Sequence, residues 1–91
     1  MHPEIRKILS QKDIEWYGDL EDDCSARWAG LILRAEMMDD DRWWWAVSDA
    51  KNDLLEIDSS NNHDLICKTA TSARTRAETA AKEYIHSFLG L

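Results

Sequence analysis

The spacing of apolar residues changes along the chain. From Ala26 to Ser48 apolar and polar positions largely alternate, whereas from Ala73 onward apolar residues recur every three or four. Alternation puts successive side chains on opposite sides of a strand, and the longer spacing puts them on one side of a helix. The pattern therefore predicts strands first and a helix last.

Three strands follow from the alternation. Ala26–Met37 carries Ala29, Leu31, Leu33, Ala35 and Met37 on one side, and Trp28, Gly30, Ile32, Arg34 and Glu36 on the other. Arg42–Ser48 separates Trp43, Trp45 and Val47 from Trp44 and Ala46, and Asp53–Asp58 separates Leu55 and Ile57 from Leu54, Glu56 and Asp58. Faces match across a hairpin only when the loop holds an odd number of residues, because a slip of one exchanges them. Loops of three, Asp39-Asp40-Asp41 and Ala50-Lys51-Asn52, satisfy this, with Asn52 at the positive-φ position. The expected rows on the core side are Met37/Trp43/Ser59, Ala35/Trp45/Ile57 and Leu33/Val47/Leu55. On the second side they are Glu36/Trp44/Asp58, Arg34/Ala46/Glu56 and Ile32/Ser48/Leu54, with Arg34 facing Glu56 across the small Ala46.

The flanks are helical or irregular. Ala73, Ala77, Ala80, Ala81, Tyr84, Ile85, Phe88 and Leu89 form one stripe that ends at Gly90, a C-terminal cap residue. Ser72 or Thr71 is expected to cap its start, with Thr75-Arg76-Ala77-Glu78 as an alternative capping box. Pro3 suits a helix start, and Ile5, Ile8 and Leu9 share one side, so a short helix is expected over Pro3–Gln11. Ile14–Cys24 reads as a short strand or extended lead-in with a turn at Gly18 and the acids after it, and Leu65-Ile66-Cys67 as a fourth strand or a segment packed under the helix. The fold class is α+β: an antiparallel meander of three or four strands, a long C-terminal helix packed on one face, and a short N-terminal helix.

Composition narrows this picture. Ninety-one residues, 44% hydrophobic and 32% charged, suit one folded soluble domain spanning 1–91. Five tryptophans offset the small size, because each can bury about 200 Å². The net charge of −7 is unevenly spread: Asp13–Asp64 holds fifteen acids against Arg27, Arg34, Arg42 and Lys51, while both ends are slightly basic. A negative middle repels phosphate backbones and anionic lipid, so neither nucleic acid nor membrane is an expected partner. The basic residues near the last helix, Lys68, Arg74, Arg76 and Lys82, are too few to reverse this. No secretory leader or membrane-length apolar run is present, which makes the cytoplasm the expected location and reduced thiols the expected state of Cys24 and Cys67.

Candidate chemistry is sparse. Cys24, His63, Asp64 and Cys67 are residue types that zinc accepts, and a thiol beside His63 or His86 is a conceivable nucleophile. The paired short spacings of structural zinc sites are missing, as are a nucleophile elbow, a phosphate-cradling loop and a dinucleotide fingerprint. No cofactor and no catalytic residue is expected. The second sheet face offers more. Three consecutive tryptophans must point to both sides of a strand, so Trp44 is presented opposite Trp43 and Trp45. With Trp28, Ile32 and Leu54, rimmed by Glu36 and Asp58, it forms the expected protein-interaction surface, covered by the N-terminal helix, a second copy or a partner. The reading is a small acidic, non-enzymatic interaction or regulatory module. An enzyme or metal site at Cys24, His63, Asp64 and Cys67 is the alternative, and acidic mimicry of nucleic acid is a further one.

Overall fold

In the computed structural model the described residues are 14–63 and 66–89. Five strands form one antiparallel sheet in chain order: β1 (Trp16–Asp19), β2 (Asp23–Trp28), β3 (Leu31–Asp39), β4 (Arg42–Asp49) and β5 (Leu55–Ser59). A 3-10 turn (Ser60–Asn62) leads toward one helix, α1 (Ala70–Leu89). The α+β class and the long C-terminal helix agree with expectation, and the strand count exceeds it. The expected helix over Pro3–Gln11 and the cap at Gly90 lie outside the described residues.

The additional strands have local causes. The segment expected as one strand, Ala26–Met37, folds back at Ala29-Gly30, where φ is +53° and +79°. Two positive φ values in a two-residue loop match the right-handed twist of the flanking strands. Upstream, the Asp19 side chain accepts from the Glu21 amide at 3.0 Å and its carbonyl accepts from Asp22 at 3.1 Å, which turns the acid cluster into the β1–β2 hairpin. Gly18 is a strand residue, not a turn residue. Its φ is +98°, and a Cβ there would lie 2.8 Å from the Asp23 carbonyl oxygen.

The fold-back moves Trp28. It pairs with Leu31 and shares the core side with Ala26 and Leu33, so it is 5% exposed and not part of the second face. Between β3 and β4 the expected register is observed: Met37 faces Trp43, Ala35 faces Trp45, Leu33 faces Val47 and Glu36 faces Trp44. The loop is a two-residue turn, Asp40-Asp41, with a register shift between Met37 and Asp39. The bulge supplies the odd residue and preserves face parity.

Between β4 and β5 the expected rows are displaced. Leu55 pairs with Asp49, Glu56 with Ser48, Asp58 with Val47 and Ser59 with Ala46. The cause is Asp49. Its carboxylate accepts from the Lys51 amide at 2.9 Å, and its carbonyl accepts from Asn52 at 3.3 Å and Leu54 at 3.0 Å. The loop thereby extends to Leu54, and the positive φ values fall on Asp53 and Leu54 rather than on Asn52. Arg34 consequently does not face Glu56.

Helix α1 lies on the side of Trp43 and Trp45. Its start is capped by Thr69, whose hydroxyl accepts from the Ser72 amide at 3.1 Å, not by Ser72 or Thr71. Ala73, Ala77 and Ala81 are fully buried, and their small size lets the helix approach a surface built from indoles. Cys67 forms a single bridge to Trp43, with the Trp43 amide donating to the Cys67 carbonyl at 2.8 Å, so Ile66–Cys67 adds no full strand.

Candidate interaction face beside Trp44

The alternation in β4 buries Trp43 and Trp45, at 6% and 3% exposure, beneath α1 and leaves Trp44 half-buried on the opposite side. Across from it in β3 stands Glu36, and one row along, opposite Ala46, lies Arg34, whose guanidinium carbon is 5.8 Å from the Trp44 ring centroid. This is a cation–π arrangement at an exposed site. The same guanidinium reaches Asp23 at 3.6 Å and Glu36 at 3.8 Å, replacing the expected pairing with Glu56.

Trp44 separates two depressions. One, of about 510 Å³, is lined by Arg34, Glu36, Met37, Met38, Trp44 and Asn61. The second, of about 250 Å³, shares Met38, Trp44 and Asn61 and continues to His63 and Ile66. Met38 and Ile66 are 62% and 61% exposed, so a flexible thioether and a branched aliphatic project beside the indole. Met38 reaches this position because the register shift after Met37 turns it out of the ladder. The alternation pattern did not identify Met38, Asn61 or Ile66, although a methionine pair before an acidic turn was available as a signal.

The residues expected to form one patch are dispersed. Glu36 and Trp44 are adjacent and line the same depression. Ile32 is on the same face but two rows away, paired with Ser48. Leu54 is 60% exposed at the β4–β5 loop in left-handed conformation, and Trp28 is in the core. Asp58 accepts from Asn62 Nδ2 at 3.0 Å and from the Ser59 amide at 2.9 Å, and its two oxygens lie 3.1 and 3.0 Å from His63 Nε2. Partial burial pushes the Asp58 carboxyl up. Hydrogen bonds from His63, Asn62 and the Ser59 amide, with the His63 charge, outweigh this and hold it below the usual carboxylate value. The His63 ring also lies 5.6 Å from Trp45, tilted by 30°, which ties the connection to the core.

The alternative chemical residues do not converge. Cys24 and Cys67 are buried free thiols on different elements, Cys24 in β2 with its Sγ 3.7 Å from the Ala35 carbonyl and Cys67 beside Trp43. Burial pushes the Cys24 thiol up despite the nearby Arg74 charge, and Asp23 and Asp19 push it the same way. His63 is occupied with Asp58, and Asp64 lies outside the described residues. Among the described residues no group of three His, Cys, Asp or Glu side chains is placed to hold a metal ion, and no helix is long and apolar enough to cross a membrane. Comparisons with protein families, with curated proteins and with solved structures give no match to this chain.

Proposed function

We propose that this protein is a non-enzymatic interaction module that docks another protein on the sheet face around Trp44. One observation carries the reading: Trp44 stands half-buried between two depressions, flanked by the exposed Met38 and Ile66, on the side of the sheet opposite α1. Tryptophan, methionine and arginine are enriched at the centres of interfaces, where an aromatic anchor is surrounded by groups that exclude water. The Arg34 guanidinium lies 5.8 Å from the Trp44 ring centroid and Glu36 lines the same depression, so the anchor is flanked by charged groups before a partner arrives.

The strand pairing supports separating this role from stability. Trp43 and Trp45 serve the core, and Trp44 projects from the same strand without belonging to it. The test is affinity capture from the native host with the wild-type chain and with Trp44→Ser and Met38→Ser. The reading expects a partner retained by the wild type and lost from both variants, while their circular dichroism is unchanged. Identical capture by all three chains would refute it.

A further inference from the structure

Resting on the docking role of the Trp44 face, we infer that its ligand is a cationic protein segment carrying an apolar anchor. The end of the sheet that holds Trp44 also holds two acidic turns, residues 19–23 and 39–41, which are neighbours because the Met37 amide donates to the Asp22 carbonyl at 2.7 Å. Together with Glu36 these turns carry eight carboxylates. Among the described residues three arginines reach this end, and each is already engaged. Arg34 lies between Asp23 and Glu36, Arg42 is 3.5 Å from Asp39, and Arg74 donates to the Leu20 carbonyl at 2.6 Å.

The arginines consequently offer an incoming anion little, and the surplus carboxylates surround an apolar centre. A polyanion is repelled, and a purely cationic segment would leave Met38, Ile66 and the Trp44 face wet. A segment with both features satisfies both parts of the site: its apolar side chain fills the depression beside Trp44, and its lysines or arginines face the rim. Rim charge acts mostly on the association rate and the desolvated anchor mostly on dissociation.

Three synthetic amphipathic peptides of equal length test this against the full-length protein: leucine with lysine, leucine with glutamate, and serine with lysine. The expected result is binding of the leucine–lysine peptide, with amide shifts centred on Glu36, Met38, Trp44 and Asn61. Its association rate should fall about tenfold between 50 and 200 mM salt. Asp40→Asn with Asp41→Asn should slow association about threefold with dissociation unchanged, whereas Trp44→Ser should speed dissociation at least about tenfold. Preference for the glutamate peptide at the same Trp44-dependent site would overturn the charge inference and leave the docking role intact. Equal binding of the serine–lysine peptide, or indifference to Trp44→Ser, would mean charge attraction without a site and would overturn it too. Sedimentation of the free chain at twice the monomer mass, with the mass halved by Trp44→Ser, would assign the face to a second copy and overturn it as well. If no peptide and no host protein responds to Trp44→Ser, the docking role itself fails.

Discussion

Trp16 and Glu78 join the first strand to the last helix: the indole N–H donates to Glu78 Oε2 at 2.8 Å across 62 positions of sequence. β1 is an edge strand of four residues; this contact ties it to α1, and Ile14 just before it is buried in the core. Hydrogen bonds to a charged acceptor contribute about 1.5–3 kcal/mol net when partly buried. Glu78→Ala should therefore destabilise the protein by about 1–2 kcal/mol in urea unfolding, with the fastest new amide exchange at Trp16–Asp19. Unchanged exchange in β1 would show that the strand is held by other contacts.

Ala29 occupies a left-handed position, φ +53°, at the first place of a turn that prefers asparagine or glycine. Ala29→Asn should raise stability by about 0.5–1 kcal/mol, because a β-carbon there costs about 1 kcal/mol or more without local hydrogen bonding. Gly18→Ala should do the reverse, lowering stability by roughly 2–4 kcal/mol, since it combines positive φ with overlap of the Asp23 carbonyl. Thermal unfolding of the two variants checks both signs.

Much of the centre of the fold was legible. The register of β3 on β4 follows from the alternation of Leu33, Ala35 and Met37 against Trp43, Trp45 and Val47, because a slip of one would bury Glu36 and Arg34. The alanine stripe was legible for the same reason at helical spacing. The turn at Ala29-Gly30 was not, because alanine rarely takes positive φ and both neighbours continue an apolar run. That single omission placed Trp28 on the wrong face. The β4–β5 register was misread because Asp49 holds a five-residue loop in place of three, and a register shift between Val47 and Ser48 then displaces Asp58 and Ser59 by one more residue. At the site, Glu36 and Trp44 were identified by periodicity, while Met38 and Ile66 owe their places to a bulge and to a connection that no repeat pattern encodes.

Asp58 gives the protein an acid-sensitive link. Its carboxyl titrates lower in the folded chain than unfolded, so its contribution is present above the ordinary carboxylate range and is lost as pH falls through the lowered value. The difference in unfolding free energy between wild type and Asp58→Asn should shrink as pH falls between about pH 5 and pH 2. A difference that grew with acid would reverse the assigned sign.

The buried thiols should be inert. Cys24 is 2% exposed and its thiol is pushed up by burial, so a disulfide reagent should label it no faster than the strands open. Labelling should accelerate in step with destabilising variants such as Glu78→Ala. Rapid stoichiometric labelling of native protein would instead identify an activated thiol and favour chemistry at Cys24.

The account depends on the middle indole of three being available while its neighbours are not. Hydroxyl-radical footprinting of the native free chain measures this at Trp43, Trp44 and Trp45 together. The predicted result is faster oxidation of Trp44, with Met38 beside it, and protection of Trp43 and Trp45 beneath α1. Protection of Trp44 equal to that of its neighbours would contradict the account, since the face would then be closed before any partner arrived.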